Sequence, residues 1–365
     1  MKLEILLPKK KDILIYRVSN FQIFKEYNIV DASKVLNIFI LIKSFLYPKT
    51  SSKYLNYTIE YINLCKPKYV ITFIDNDSRF YLLKEKFKDI IFISIQNGHR
   101  SIIDDFFSIK EYKNLQCDYM FLFNKYILRE YNKTIKSKKK VIGSFKNNQV
   151  KVIKYKKNRI IGFISQYSEK GNQVYYKKKD IKILWKDHFE AERVIVKILS
   201  EYCYDQNYKL MIILRSNLKS EKKFYKDLIF NKCNWNFSRR SSPYDGYKIL
   251  DECSYVFGVD GTLLYESFSR GKRTGAISIR STILQKRFKV NMKGHRYCWP
   301  YETTENGPFW THTNNKKQIL KVIKNVVKMS NYDWIRLQKK YSQLMMKFDY
   351  QNKSLFKELK LIMKR

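Results

Sequence analysis

Short apolar segments that alternate with amphipathic segments constrain the fold of this chain more than any other feature of its sequence. Residues 52–64 and 188–204 have the apolar spacing of helices. Runs of strand character lie between such helices, and the clearest occupy residues 69–74, 90–95, 159–165, 210–214 and 255–259. Strands that are apolar on both faces and separated by helices are typical of a parallel sheet covered on both sides. The sequence therefore predicts an α/β protein.

The alternating pattern occurs twice, on either side of a polar, lysine-rich stretch at residues 147–158. A chain of 365 residues is also long for a single hydrophobic core. We therefore expect two doubly wound, Rossmann-like domains that face each other across a cleft, at residues 1–150 and 151–315. Amphipathic helices occupy residues 316–365, and we expect them to brace the two domains.

One segment, residues 254–279, combines a strand, a tight turn, a helix and a second strand. A helix that starts at the turn Asp260-Gly261-Thr262 presents unpaired backbone N–H groups and the positive end of its dipole, which suits phosphate. Glu266 lies four residues after Thr262, hence one turn further along the same face. The alternative interpretation is that Asp260 or Thr262 caps the helix and that Glu266 is a solvated carboxylate.

Polar clusters follow the predicted strands at the points where the strands end. They occupy residues 75–78, 96–100, 143–144, 165–167, 215–217 and 260–262. The carboxyl ends of parallel strands meet at one edge of a sheet, and ligands of open α/β sheets bind there. The sequence therefore predicts a phosphate-bearing ligand in the cleft between the two domains.

The formal charge of +40 is the strongest compositional signal. An excess of positive charge is common in nucleic-acid-binding proteins, but here lysine is spread over the whole chain and no nucleic-acid-binding motif accompanies it. We therefore expect no specific nucleic acid partner. The charge favours phosphate-bearing substrates and predicts peripheral contact with the anionic inner membrane of a bacterium.

The cysteines and histidines do not indicate a metal site. The chain has six cysteines and four histidines, and their spacing is that of neither a zinc site nor a disulfide framework. We expect reduced thiols, no metal and no cofactor. The apolar stretches are too short to span a membrane, and the N-terminal charges follow the apolar residues, which is the reverse of a secretion signal. A cytoplasmic location is expected.

Several segments resemble the bacterial surface carbohydrate biosynthesis protein family, whose members look like GT-B glycosyltransferases. The resemblance runs from about residue 60 to about residue 315 and is strongest over residues 254–279. It is carried by Ile95-Gln96-Asn97-Gly98, by Val141-Ile142-Gly143-Ser144 with Asn147-Asn148, by Asp260-Gly261-Thr262-Leu263-Leu264-Tyr265-Glu266 with Arg270-Gly271-Lys272, and by Trp299-Pro300-Tyr301 with Gly307-Pro308-Phe309-Trp310.

The resemblance implies a nucleotide-sugar donor held mainly by the C-terminal domain. Its phosphate would lie at Gly261 and Thr262 beside Asp260, Glu266 would reach a ribose or sugar hydroxyl, and Arg215 is a candidate for a second phosphate contact. Many members of the family carry Ser where this chain has Gly261, so the hydroxyl is missing here. GT-B enzymes generally need no metal, which implies a metal-independent transfer.

A glycosyl transfer with inversion requires a general base, which in such enzymes usually comes from the N-terminal domain. The candidates are Asp75, Asp77, His99, Asp104 and Asp105, among which His99 has the ordinary pKa nearest to neutral. Asp75-Asn76-Asp77 also has the spacing of a metal-binding DxD sequence. Gln96, Asn97 and Gly98 are expected on the acceptor side.

The resemblance implies a glycosyltransferase that extends a bacterial surface polysaccharide, such as lipopolysaccharide or capsule, or a glycolipid. Two alternatives use the same scaffold: a nucleotide-sugar epimerase and a glycerophosphotransferase. A third alternative is a basic module that binds nucleic acid or membranes. The sugar, the nucleotide, the acceptor and the stereochemical outcome stay open.

Overall fold

The structure is a computed structural model that describes residues 2–17, 27–31, 35–46, 49–100, 115–153, 158–178, 181–216, 218–238, 241–242, 244–290 and 304–364. The chain forms two compact units. The first comprises Met1–Asn97 and Asp105–Phe145, and the second comprises Gly98–Asp104 and Lys146–Arg365. In the described part of the chain, no helix is long and apolar enough to cross a membrane.

The first unit is built on a parallel sheet. Its strands are β1 (Lys2–Glu4), β2 (Ile13–Tyr16), β3 (Asn28–Val30), β4 (Val35–Asn37), β5 (Tyr69–Thr72), β6 (Ile91–Ile95), β7 (Gln116–Leu122) and β8 (Lys136–Val141). Six of them form one sheet in the order β3-β2-β5-β6-β7-β8, and β1 pairs separately with β4. The helices are α1 (Ile38–Leu46), α2 (Lys53–Cys65), α3 (Ser78–Lys86) and α4 (Lys125–Asn132), and α5 (Phe145–Gln149) starts at the last residue of this unit.

The second unit contains a second six-stranded parallel sheet. Its strands are β9 (Ile160–Ile164), β10 (Val174–Lys178), β11 (Ile181–Leu184), β12 (Lys209–Ile213), β13 (Trp235–Phe237), β14 (Tyr255–Gly258), β15 (Arg273–Ile277) and β16 (Trp310–Thr311). The sheet order is β13-β12-β9-β14-β15-β16, and β10 with β11 forms an antiparallel hairpin. The helices are α6 (Trp185–His188), α7 (Glu190–Asp205), α8 (Lys219–Lys226), α9 (Asp245–Glu252), α10 (Thr262–Ser269), α11 (Arg280–Phe288), α12 (Lys316–Lys328), α13 (Asn331–Met345) and α14 (Lys353–Met363).

Both sheets are doubly wound. In the second unit the chain starts in the middle at β9, proceeds outward to β12 and β13, and then returns to the other side of β9 to form β14, β15 and β16. This is the strand order of a dinucleotide-binding fold, and its switch point lies between β9 and β14. The predicted α/β class with two Rossmann-like domains is confirmed.

Polar residues at strand ends start several of the helices. The Asp77 side chain accepts a hydrogen bond from the backbone N–H of Arg79 at the first turn of α3. Asn124 does the same for the N–H of Ile127 at the start of α4. Such caps satisfy backbone donors that have no partner within the helix. Part of the polar clustering after the strands therefore serves to begin helices.

A buried ion pair in the second unit holds the end of α5 and the two residues that follow it. The Arg270 guanidinium pairs with the Asp251 carboxylate, and the side chains of both residues are fully buried. The same guanidinium donates to the side-chain oxygen of Asn147 and to the backbone carbonyls of Val150 and Lys151 at 3.0–3.1 Å. Residues 147–151, at the start of the polar, lysine-rich stretch, are thus held by hydrogen bonds to a buried guanidinium.

Replacing Asp251 by Asn tests how much this ion pair contributes to stability. We expect Asp251→Asn to lower the free energy of unfolding by about 3 kcal/mol, because it leaves the buried Arg270 guanidinium without its carboxylate. The measurement is urea unfolding followed by circular dichroism. Glu201→Gln is the matched control, since it removes a partner of Lys316 from a pair that is exposed on both sides and should change stability by less than about 1 kcal/mol. Equal effects of the two substitutions would contradict the role given to Arg270.

Candidate functional site

A pocket of about 300 Å³ lies at the carboxyl ends of three neighbouring strands of the second unit. Ser165 directly follows β9, Arg215 comes just after β12, and Gly261 comes just after β14. The residues that line the pocket are His99, Ile164, Ser165, Gln166, Arg215, Gly261, Thr262 and Leu263. Because β9 and β14 flank the switch point of the sheet, the pocket occupies the position where doubly wound folds bind ligands.

Gly261 forms the turn into α10, and its backbone conformation requires glycine. Its φ is +97°, a region that other residues rarely adopt. A Cβ at this position would lie 1.9 Å from the side-chain nitrogen of Gln166. That nitrogen donates a hydrogen bond of 2.8 Å to the backbone carbonyl of Asp260. The amide of Gln166 therefore occupies the space that any larger residue at position 261 would need.

Thr262 is the first residue of α10 and contacts the segment that begins at Gly98. Its Oγ1 accepts a 2.8 Å hydrogen bond from the backbone N–H of His99. The His99 ring stacks on the Tyr265 ring, with 4.0 Å between centroids and 17° between planes. Gly98 and His99, which the sequence assigns to the N-terminal domain, thus lie in the second unit and beside the pocket.

The His99 imidazole is buried, and this sets its charge. Burial, together with the neighbouring positive charge of Arg100, holds the pKa of His99 well below its usual value near 6.5. The ring is therefore neutral at pH 7. A neutral imidazole has one nitrogen that can accept a proton and one N–H that can donate a hydrogen bond.

Glu221 holds the loops that follow β9 and β12 beside the pocket. Its buried carboxylate accepts hydrogen bonds from the backbone N–H groups of Arg215 at 2.7 Å and of Ser216 at 2.9 Å, and from the hydroxyl of Ser165. The Arg215 guanidinium in turn donates to the backbone carbonyl of Gln166 at 3.2 Å. Sequence analysis assigned no role to Glu221, and it included Gln166 only as part of the polar cluster at residues 165–167. The signal for Glu221 was its place as the third residue of a helix, where an acidic side chain can fold back onto the preceding loop.

The Asp260 side chain belongs to a buried cluster of ion pairs. Arg280, the first residue of α11, pairs with Asp260 and with Glu192 of α7, and it also donates to the backbone carbonyl of His188. All these side chains are buried, and burial raises the pKa of Glu192. The interpretation of Asp260 or Thr262 as the helix cap is wrong, because the N-cap residue is Gly261 and no side chain caps α10.

Glu266 lies one turn along α10 and is buried. Its carboxylate accepts a 3.0 Å hydrogen bond from the hydroxyl of Tyr247 in α9. The interpretation of Glu266 as a solvated carboxylate is wrong, since only 5% of the residue is exposed. It is not one of the residues that line the pocket, and its contact with a donor hydroxyl stays a prediction.

The candidates Asp75, Asp77 and Gln96 belong to the first unit and have structural partners there. Asp75 is fully buried and accepts hydrogen bonds from the Tyr131 hydroxyl at 2.8 Å and from the backbone N–H of Asn97 at 3.2 Å. Asp77, besides capping α3, pairs with Arg79 and Arg17; in spite of its burial, these two guanidiniums hold the pKa of its carboxyl below the usual value. The side-chain oxygen of Gln96 accepts from the backbone N–H of Phe123 at 2.8 Å.

Two of the base candidates, Asp104 and Asp105, lie outside the described residues. So do Asn217 and the sequence Trp299-Pro300-Tyr301. Within the described ranges, no three His, Cys, Asp or Glu side chains come together as ligands of a metal ion.

A sequence profile of the family described as "putative O-antigen biosynthesis protein" matches residues 93–363. The chain belongs to this family. The expected kinship with proteins of bacterial surface carbohydrate biosynthesis is thereby confirmed. No curated protein sequence matches this O-antigen biosynthesis family member.

Solved structures with a similar fold include a Listeria monocytogenes protein described as a "putative UDP-N-acetylglucosamine 2-epimerase", 11% identical, with a TM-score of 0.55 over 97% of each chain. The S. aureus protein MnaA, solved with UDP, is 12% identical, and its match has a TM-score of 0.52 over 100% of this chain and 97% of that one. S. aureus TarM, solved with fondaparinux, α-GlcNAc-glycerol and UDP, is 12% identical over 86% of this chain, with a TM-score of 0.48. This chain spans 59% of the length of TarM. The likeness concerns the fold, which is GT-B-like as expected.

The fit between Gly261 and Gln166 can be tested by exchanging Gly261 for serine. We expect Gly261→Ser to lower the free energy of unfolding by about 2 kcal/mol, because of its positive φ and the collision with Gln166. Adding Gln166→Ala should restore the part of this free energy that is lost through the collision. In a double-mutant cycle measured by urea unfolding, the coupling energy between the two substitutions should be at least about 0.5 kcal/mol. The control is Gly171→Ser, where an added Cβ has no neighbour nearer than 4.0 Å. Strict additivity of the two substitutions would contradict the packing described here.

The buried histidines predict a loss of stability in mild acid. The pKa values of His99 and His188 are depressed by burial in the folded state, so the unfolded chain takes up protons first as the pH falls below about 6.5. Each histidine should then remove about 1.4 kcal/mol of unfolding free energy between pH 7.5 and 5.5. Urea unfolding at the two pH values measures this loss. His99→Asn and His188→Asn should each reduce it, and an unchanged loss in both variants would show that other groups cause it.

Proposed function

We propose that this protein is a GT-B glycosyltransferase that transfers a sugar from a nucleotide-activated donor to a growing bacterial surface polysaccharide or glycolipid. The observation that carries the proposal is the meeting of His99, Arg215, Gly261 and Thr262 around one pocket at the switch point of the second sheet. Membership of an O-antigen biosynthesis family supports the class of product. The UDP bound to MnaA supports a nucleotide as the ligand class.

The pocket offers two kinds of group for a diphosphate. No side chain caps the first turn of α10, and the N–H of Leu264 bonds to the carbonyl of Gly261. The N–H groups of Thr262 and Leu263 and the positive end of the helix dipole would therefore be available to an anion. Arg215 adds a guanidinium, whose planar fork suits phosphate oxygens. These groups would stabilise the negative charge that develops on the leaving nucleotide, and they would supply this stabilisation without a bound metal.

Among the three base candidates that the structure describes, His99 is the one that lines this pocket. Its neutral ring would accept the proton of an acceptor hydroxyl while that oxygen attacks the anomeric carbon of the sugar. The bond between this carbon and the phosphate oxygen breaks, and the nucleotide leaves with the electron pair. An anionic donor beside the ring would raise the pKa of His99, which favours proton uptake. Asp75, Asp77, Asp104 and Asp105 stay alternatives for this role.

The proposed setting is the cytoplasm, with peripheral contact to the anionic inner membrane. The net charge of +40 supports such contact. A lipid-linked or polymeric acceptor, as in lipopolysaccharide or capsule synthesis, would be extended at that surface. Glu266 is proposed to contribute to donor binding through α10, and Asp260 through its bond to Arg280. Gln96, Asn97 and Gly98 are proposed to lie on the acceptor side.

A thermal-shift series with UDP, GDP, CDP, CMP and dTDP tests donor binding. We expect one of these nucleotides to raise the melting temperature, because a ligand that binds the folded state stabilises it. Arg215→Gln should lower the affinity for that nucleotide by about tenfold or more, since it removes a charged hydrogen-bond donor to the phosphate. Arg193→Gln, on the exposed side of α7, is the control and should leave affinity unchanged. Absence of a shift with every nucleotide would contradict the proposal.

A second candidate activity is the epimerisation of a nucleotide sugar, which is the activity named for the Listeria protein with a similar fold. An epimerase converts its nucleotide sugar without an acceptor, whereas a glycosyltransferase releases the nucleotide only when it transfers the sugar. Proton NMR of UDP-N-acetylglucosamine incubated with the protein alone separates the two. A new sugar configuration without nucleotide release would favour the epimerase. Transfer of glycerol phosphate from a CDP-linked donor would favour a glycerophosphotransferase.

A further inference from the structure

The outer face of α1 is apolar although it is exposed. Phe39, Ile42, Phe45 and Leu46 are each between 52 and 67% exposed, whereas Ile40 on the opposite face is buried. Their spacing places them on one side of the helix. A helix on the surface of a soluble domain normally turns its apolar side to the core. In this helix a large apolar surface faces outward as well.

A second exposed apolar segment lies beside α1. Leu3, Ile5, Leu6 and Leu7 are between 53 and 87% exposed. The buried side chain of Asn37, at the end of β4, joins this segment to the helix. Its nitrogen donates to the backbone carbonyl of Leu6 at 2.8 Å, and its oxygen accepts from the backbone N–H of Ile40 in α1 at 3.2 Å.

The pairing of β1 with β4 also holds the two segments together. Leu3 lies opposite Leu36, and Glu4 lies opposite Asn37, the residue before α1. The eight exposed apolar side chains of residues 3–7 and α1 therefore belong to one part of the first unit, which we call the N-terminal apolar surface. A cluster of exposed apolar side chains in one part of a domain is typical of a site of interaction.

Lysines adjoin both segments of the N-terminal apolar surface. Lys9, Lys10 and Lys11 continue the first segment and are all exposed. On the helix side, Lys43 and Lys49 both pair with the one buried carboxylate of Glu60, at 3.2 and 2.7 Å. Two positive charges thus share a single negative charge there. The surface combines exposed apolar side chains with a positively charged border.

We propose that the N-terminal apolar surface docks the protein on an anionic lipid bilayer. Apolar side chains enter the boundary between head groups and acyl chains, while lysines contact the anionic head groups. Helix α1 has nine residues and is therefore about 14 Å long, roughly half the thickness of a hydrocarbon core. It would lie in the interface plane rather than cross the bilayer.

Charge distinguishes the bilayer from a second copy of the chain as the occupant. Two copies that meet through this surface would bring the lysines of both borders together, and like charges at an interface oppose association. An anionic bilayer complements the same lysines. The proposal concerns residues 3–11 and α1, and it stands or falls independently of the pocket described above.

Flotation with lipid vesicles tests the proposal on the full-length protein. We expect binding to vesicles of phosphatidylcholine mixed with phosphatidylglycerol and much weaker binding to pure phosphatidylcholine. Phe39→Asp/Phe45→Asp should lower the partition coefficient by about tenfold or more, because two apolar side chains no longer enter the bilayer. Lys9→Gln/Lys10→Gln/Lys11→Gln should weaken binding to the anionic vesicles by about tenfold or more and reduce its dependence on salt.

The matched control places the same two charges elsewhere. Tyr332→Asp/Ile335→Asp alters exposed apolar residues of α13 in the second unit, at 73 and 63% exposure, and should leave vesicle binding unchanged. All these positions are exposed, so the variants should keep the melting temperature of the parent protein. Binding of Phe39→Asp/Phe45→Asp equal to that of the parent would overturn the proposal. A parent dimer without lipid that becomes monomeric in this variant would assign the surface to a second copy instead.

A fluorescent reporter locates the contact at one residue. In Phe45→Trp, the new indole replaces a ring that lies 5.5 Å from the amino group of Lys53. On addition of anionic vesicles, the emission of the new indole should shift to shorter wavelength, and brominated lipids should quench it. Quenching no greater than in the parent protein would overturn the placement of Phe45 in the bilayer.

Discussion

The guanidinium of Arg280 joins the elements on which the candidate site depends. It connects the start of α11 to the turn after β14 through Asp260, to α7 through Glu192, and to the end of α6 through the carbonyl of His188. One cation lies between two buried carboxylates, and burial raises the pKa of Glu192, which favours its neutral form and limits the uncompensated charge. The arrangement also matters for a ligand. Asp260 adjoins Gly261, and its pairing with Arg280 offsets a negative charge that would otherwise repel a phosphate at the start of α10.

Carboxylates at strand ends have mostly structural partners in this protein. Asp75 accepts from Tyr131, Asp77 binds two arginines and caps a helix, and Glu266 accepts from Tyr247. The end of a parallel sheet exposes helix N-termini and the side chains of following loops, so acidic residues there find many donors. An acidic residue after a strand is therefore a weak indication of catalysis. Contact with the pocket separates the candidates better, and it favours His99.

The sequence predicted the regular part of this fold, but not the contacts within the candidate site. Apolar runs such as 69–74 and 255–259 correspond to β5 and β14, and Gly261, which the sequence proposes as a phosphate contact, lines the pocket of the second unit. Contacts between residues far apart in the chain leave no local pattern. The bond from His99 to Thr262 spans 163 positions, and that from Gln166 to the carbonyl of Asp260 spans 94. Helix α1 escaped prediction because seven of its nine residues are apolar, and so short an apolar run fits a buried strand as well as a helix.

The polar contacts of Asn148 bear on how the second unit forms during synthesis. Its side chain is fully buried; its nitrogen donates to the side chain of Asn352, 204 positions later, and its oxygen accepts from the backbone N–H of Asp349. A nascent chain reaches Asn148 long before either partner exists. Until residues 349–352 have left the ribosome, the side-chain amide of Asn148 lacks these two hydrogen bonds. Completion of the second unit therefore has to wait for the synthesis of residues 349–352, although its central strand β9 emerges much earlier.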